Sequence, residues 1–239
     1  MTAPIKFVSL GPGESELITL KGLRALDGAD CIYCPQTRLS SGKILSRANK
    51  VLSELGISED KVVLFDLPMS FDRSEALLAY DRVREDAMLR FSHGDAVCIV
   101  AEGDIGIYSS VHYIYDRLKE DGYPVLHIPG IPSFVAANAL AGLHLISGSE
   151  RLEIIPGNPT IDELNRCLSD GYTAVIMKLS QCYDVICRFL SKHPDLDVHY
   201  FENVGSSNEI HLSTSEKILA LDLFPYFSLM IIRPTSKKQ

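Results

Sequence analysis

The chain has 239 residues, 46% hydrophobic and 23% charged, with a formal net charge of −8, enough for one large domain or two small ones. No run approaches the ~20 apolar residues that cross a bilayer, and the N-terminus has no separate apolar region or cleavage site, so the cytoplasm is the default. The acidic balance, without a lysine or arginine tract, argues against nucleic acid and leaves an anionic small molecule only where a few cations gather.

The first predicted element is a buried strand over the apolar run Ile5 to Leu10. Gly11-Pro12-Gly13 follows it, and leucine spacing from Leu17 to Leu26 predicts an amphipathic helix. A strand that ends in a glycine turn and feeds a helix brings bare backbone close to a ligand above the sheet. Cys31-Ile32-Tyr33-Cys34 is the second strand. Its two cysteines have zinc or redox spacing, but along a strand they face opposite sides. The cysteines therefore read as buried apolar groups, the seven histidines lack ligand spacing, and no metal site is expected.

A polar loop from Gln36 to Gly42 precedes a helix expected from Lys43 to Leu55, a strand over Val62 to Phe65 and a long helix from Ser74 to Phe91. Ala96 to Val100 is a continuous apolar run, as in a central parallel strand covered on both faces. Then comes a loop with two glycines and an aspartate, Ala101 to Ser110, and a helix from Ser109 to Glu120. Strand–helix alternation of this kind predicts a mostly parallel sheet. The turn residues Asp121-Gly122-Tyr123-Pro124 divide the chain into domains 1–122 and 123–239. Beyond them strands are expected at 125–128, 152–155, 173–179, 198–201, 210–212 and 227–232, and helices at 133–141, 161–169 and 182–192. The last two strands lack a full helix between them, so the second sheet is expected to be mixed.

Chemistry concentrates in the loops. Gly103 and Asp104 lie at the carboxyl end of the central strand, where open α/β sheets bind ligands. Asp104 there either accepts hydrogen bonds from a ribose or ammonium group or caps the following helix. Ile128-Pro129-Gly130-Ile131-Pro132-Ser133 repeats the pattern of strand, glycine turn and helix start.

With these loops the chain resembles the tetrapyrrole methylases. Leu10-Gly11-Pro12-Gly13 with Leu17-Ile18-Thr19-Leu20-Lys21-Gly22 is similar to their N-terminal signature. Glu102-Gly103-Asp104 is similar to their Gly-Asp-Pro loop, Pro129-Gly130-Ile131-Pro132-Ser133 to their Pro-Gly loop, and Glu202-Asn203-Val204-Gly205 to a C-terminal element. Within the family, Tyr108-Ser109-Ser110, Met177-Lys178 and Ser149-Glu150-Arg151-Leu152 most resemble the subgroup that methylates precorrin-2 or cobalt-factor II at C20 in cobalamin synthesis.

The resemblance implies an α/β, two-domain tetrapyrrole methylase fold: a mostly parallel N-terminal sheet, a mixed-sheet C-terminal domain, and S-adenosylmethionine in the cleft between them. It also implies a homodimer. Cofactor positions would be Pro12, Glu102, Gly103, Asp104, Ile107, Pro132, Ser133 and Val204. Two departures matter: Ile105 replaces the loop proline, and Pro35 stands where relatives acting on uroporphyrinogen carry an aspartate.

Tyr108 and His112, read as one helical turn apart, are the candidate proton acceptors, or else residues packing at a helix start. A polycarboxylate tetrapyrrole would need cations, and Arg38, Lys43, Arg151 and Lys178 are the candidates, some of them plain surface charges. Other readings are a sister methylase acting at another ring position, a diphthine synthase-like enzyme, and a non-catalytic nucleotide-binding module. A P-loop reading lacks the upstream glycine before Ser41-Gly42-Lys43, and a nicotinamide reading lacks the third glycine, since Glu16 stands in its place.

Overall fold

The computed structural model describes residues 3–38, 44–68 and 74–234. The chain forms two compact units, one ending at Pro132 and the other beginning at Ser133.

In the first unit, β1 (Ile5–Ser9), β2 (Cys31–Arg38), β4 (Val62–Pro68), β5 (Val97–Ala101) and β6 (Val125–Ile128) make a parallel sheet in the order β4-β2-β5-β1-β6. The two-residue β3 (Ile44–Leu45) pairs antiparallel with the end of β2. The apolar run of β5 sits between β1 and β2 and is buried throughout. Here β6 pairs with β1, so the turn at 121–124 precedes the last strand of the first sheet and the units divide ten positions after the predicted boundary. Turn composition marks a reversal of the chain; strand pairing decides which core the next strand joins.

Helices cover both faces of this sheet. Helices α1 (Leu20–Asp27) and α2 (Arg47–Glu54) bring Ala25, Leu26, Val51 and Leu52 against Val8, Ile32, Cys34 and Val100. On the other face α3 (Ser74–His93) and α4 (His112–Glu120) pack Val83, Ala87, Ile114 and Leu118 against Phe7, Cys31, Tyr33 and Ile99. Cys31 and Cys34 thus enter different cores, as strand alternation predicts. Burial pushes the Cys34 and Cys98 thiols up to about 12, which keeps them protonated and inert.

The connections define a switch point. The chain leaves β1 toward α1 on one face and leaves the neighbouring β5 toward α4 on the other. Two adjacent parallel strands whose connections diverge open a crevice at their carboxyl ends.

The second unit contains α5 (Ser133–Leu140), β7 (Arg151–Ile155), α6 (Ile161–Ser169), β8 (Tyr172–Met177), α7 (Tyr183–Lys192), β9 (Asp197–Glu202), β10 (Ile210–Leu212), α8 (Ser215–Leu219) and β11 (Ser228–Arg233). Its sheet runs β10-β9-β11-β8-β7 and is mixed, as expected: β7 and β8 are parallel and the other pairs antiparallel. Ala174, Ile176, Tyr200, Met230 and Ile232 form a core with Leu164, Ile186, Phe189 and Ile218 from the helices. The α6 helix begins with a capping box between Thr160 and Glu163, which satisfies backbone donors that the first turn leaves open. Among the described residues no helix is long and apolar enough to cross a membrane.

Candidate functional site

The loops after β1 and β5 are joined through their backbones. Gly11 N–H donates to the Gly103 carbonyl at 3.1 Å, and Gly103 N–H returns the bond to Gly11 at 2.6 Å. Both glycines have positive φ, +82° and +67°, a conformation that costs a residue with a Cβ about 1–2 kcal/mol.

The loop after β6 closes on this pair. A Cβ at Gly130 would sit 2.6 Å from the Ser9 Cβ and 2.9 Å from the Gly103 carbonyl oxygen, so this close approach admits only glycine. Asp104 fastens the junction: one carboxylate oxygen accepts from Gly106 N–H and the other from Gly130 N–H, each at 2.7 Å. Beneath the loops, the fully buried Ser9 Oγ accepts from Ile105 N–H at 3.0 Å and faces His127 Nε2 at 3.4 Å. Ile105, in place of the family's proline, sends its side chain into the core on the α4 side. A buried isoleucine anchors that loop where the resemblance expects a proline ring.

Glu102 meets α2. The first turn of this helix carries Arg47 and no acidic residue, a charge arrangement that the helix dipole disfavours. Glu102 supplies the missing anion: its carboxylate accepts from Ala48 N–H and lies 3.7 Å from Arg47 Nε. Arg47 also donates to the Pro12 carbonyl at 3.2 Å. Burial pushes the Glu102 carboxyl above its ordinary value, while Arg47 and the Ala48 N–H pull against that shift.

Other candidate residues distribute as follows. Asp104 does not cap α4, whose preceding residue, Val111, makes no side-chain cap. Tyr108 lies outside the helix, with φ at +50° and the residue 44% exposed, while His112 opens α4, so the two do not share a helical turn. Ile107 closes a turn through its N–H onto the Asp104 carbonyl. Pro132 ends the first unit.

In the second unit Ser133 opens α5, and Val204 is buried in the turn after β9 between Asn203 and Gly205, both at positive φ. Lys178 follows β8 directly with φ at +58°. Arg151 at the start of β7 donates to the Tyr172 hydroxyl at 2.9 Å and lies over that ring. Arg38 closes β2, and Lys43 lies outside the described residues.

Ser9, Arg47 and His127 were not among the residues singled out from sequence. Only Arg47 had a signal there: a cation placed just after the capping residue Ser46 needs a carboxylate from elsewhere.

Comparison with known proteins identifies the family and the fold. The chain is 31% identical over 230 residues to the precorrin-2 C(20)-methyltransferase of Sinorhizobium sp, covering 94% of this chain and 93% of that one. It is 26% identical over 180 residues to the cobalt-precorrin-2 C(20)-methyltransferase of Salmonella typhimurium strain LT2, covering 75% and 74%. Among solved structures, a cobalt precorrin-4 methyltransferase superposes with a TM-score of 0.71 at 18% identity, over 96% of this chain and 94% of that one. The uroporphyrin-III C-methyl transferase of Thermus thermophilus, complexed with S-adenyl homocysteine, superposes with a TM-score of 0.68 at 19% identity, over 97% of each. The family described as Tetrapyrrole (Corrin/Porphyrin) Methylases matches residues 4–220, and this chain belongs to it.

Proposed function

We propose that this chain transfers a methyl group from S-adenosylmethionine to C20 of precorrin-2 or its cobalt form in cobalamin biosynthesis. The observation that carries the reading is the convergence of the loops after β1, β5 and β6 at the switch point, fastened by Asp104. The C20 assignment draws its support from the two relatives named for that reaction.

The residues fit the cofactor. Glycine backbone at Gly11, Gly103 and Gly130 leaves bare peptide groups at the switch point, suited to holding an adenosyl and an amino-acid end by backbone hydrogen bonds. Pro12, Glu102, Gly103, Asp104, Ile107 and Pro132 would make the contacts of the first unit, and Ser133 and Val204 are the candidate positions of the second. The Glu102 and Asp104 carboxylates supply the negative charge that a sulfonium and an ammonium group call for.

When bound, the cofactor supplies an electrophilic methyl group on positive sulfur. The nucleophile is an electron-rich carbon of the reduced tetrapyrrole, so the chain's main task is alignment, which is worth roughly 7–11 kcal/mol in favourable cases. Tyr108 and His112 would be the groups that receive a proton, a role worth ~10²–10⁴-fold. Arg38, Lys43, Arg151 and Lys178 would meet substrate carboxylates. A homodimer acting in the cytoplasm completes the proposal, and light scattering on the purified chain tests its dimeric part.

The activity is tested by incubating the protein with a methyl-labelled donor and either precorrin-2 or its cobalt form. One added methyl at C20 is expected; methylation at another carbon, or none with either substrate, contradicts the assignment.

A further inference from the structure

We propose that Arg47 is a positioning residue for the cofactor loop, holding the Pro12 carbonyl in place from the N-terminus of α2. The inference rests on the proposed use of that loop to bind S-adenosylmethionine. Pro12 lies between Gly11 and Gly13, whose φ values are +82° and +136°; Gly11 is held by its backbone bridge to Gly103, and the Pro12 carbonyl is held by Arg47. Proline has no N–H, and its carbonyl is its one backbone polar group. Arg47 donates to that carbonyl at 3.2 Å with a side chain only 20% exposed.

The same guanidinium faces Glu102 at 3.7 Å, at the carboxyl end of β5. One side chain therefore relates the loops after β1 and β5 to a rigid helix, in addition to their own backbone bridge. An arginine suits this task because its planar fork presents several donors in fixed directions; a lysine offers a single point charge. Its place at a helix N-terminus works against the dipole, and Glu102 and the Pro12 carbonyl offset that cost.

A simpler role would be to balance the Glu102 charge alone, and a double-mutant cycle separates the two. Calorimetry with S-adenosylhomocysteine would be run on the wild type, Arg47→Met, Arg47→Lys, Glu102→Gln and the Arg47→Met/Glu102→Gln pair. Arg47→Met should weaken binding about tenfold, the loss expected of one charge-assisted hydrogen bond. The same factor should separate the double variant from Glu102→Gln, because neutralising Glu102 leaves the bond from Arg47 to the Pro12 carbonyl in place for the second substitution to remove. Arg47→Lys should fall between wild type and Arg47→Met. Amide exchange across residues 10–17 should quicken in Arg47→Met while exchange in α4 stays unchanged.

Wild-type affinity in Arg47→Met, or a double variant that binds as well as Glu102→Gln, overturns the positioning role. If Arg47→Met does not fold, wild-type affinity in Arg47→Lys overturns it as well. Failure of the wild type to bind S-adenosylhomocysteine overturns instead the functional reading beneath it.

Discussion

The two units answer the same problem, building loops at the ends of strands, by different means. The first has a parallel sheet whose chain diverges between β1 and β5, and its loops close on one another through Gly11, Gly103, Gly130 and Asp104. The second has a mixed sheet whose loops after β7, β8 and β9 hold Asn158, Lys178 and Asn203 in the left-handed region, where non-glycine residues are uncommon. A parallel sheet with a switch point makes a crevice from topology alone. A largely antiparallel sheet has no such crevice, and its loops take their shape residue by residue.

Substituting glycines gives the largest expected difference. Gly130→Ala forces atoms to within 2.6 Å of Ser9 and 2.9 Å of the Gly103 carbonyl, and backbone cannot yield cheaply there. It should cost about 2–3 kcal/mol by overpacking and abolish measurable S-adenosylhomocysteine binding. Gly171→Ala in the second unit meets open space and suffers only the left-handed backbone, at φ +79°, for about 1 kcal/mol. Thermal unfolding of both variants tests the contrast; equal losses would mean that the loops of the first unit are not closely packed.

Asp104→Asn comes next. It replaces a carboxylate that accepts from two N–H groups with an amide that accepts at one oxygen and leaves its nitrogen facing a donor. A loss of about 1.5–3 kcal/mol in S-adenosylhomocysteine binding is expected, the range for a charged hydrogen bond. Unchanged calorimetric affinity in a folded variant would show that the tether does not shape the site.

The units should also differ in pH response. Burial raises the Glu102 pKa, so relative to the unfolded chain the folded state gains stability when Glu102 is protonated, while Arg47 and the Ala48 N–H pull toward the ionised form. That contribution is fully present below the ordinary value of 4.5 and is lost as pH rises through the raised value. His211 behaves oppositely. Burial and the neighbouring His199, itself paired with Asp197 beside Arg233, lower its pKa. Its contribution is fully present above 6.5 and is lost as pH falls through the lowered value. Native-state amide exchange from pH 4 to 8 should therefore show β9 and β10 weakening on acidification, with His211→Gln flattening that trend. Glu102→Gln should flatten the opposite trend around β5. Parallel trends in both regions would contradict these environments.

The smallest effect is expected at Arg151, whose guanidinium already rests on Tyr172. Arg151→Ala should raise KM for the tetrapyrrole slightly, and less so at high salt, because exposed ion pairs are screened over about 8–10 Å. A large salt-independent rise would place Arg151 in a dry contact with substrate.

Much of the fold was legible because it is local. The apolar run Ala96 to Val100 becomes the central strand, one residue displaced at Val97–Ala101, and Val125–Ile128, Ile161–Ser169 and Ile210–Leu212 form where their patterns predict. Non-local contacts were not legible. The pairing of β6 with β1 moves a strand into the first core, and β3 arises only because Ile44–Leu45 reaches back to β2. The helix expected from Lys43 starts instead at Arg47, after Ser46 accepts from Asn49 N–H. At the site, glycine turns pointed to the right loops, but Asp104 bonds a backbone group 26 residues away and Arg47 reaches Glu102 from another element. Composition carries turn chemistry, whereas a tether depends on which strands become neighbours.

Amide exchange of the wild-type chain with and without S-adenosylhomocysteine tests the central claim most directly. The account predicts that the ligand slows exchange in residues 10–14, 102–107 and 129–132 together, since these loops are fastened to one another. Exchange unchanged in all three segments at saturating ligand would contradict a site built at the ends of β1, β5 and β6.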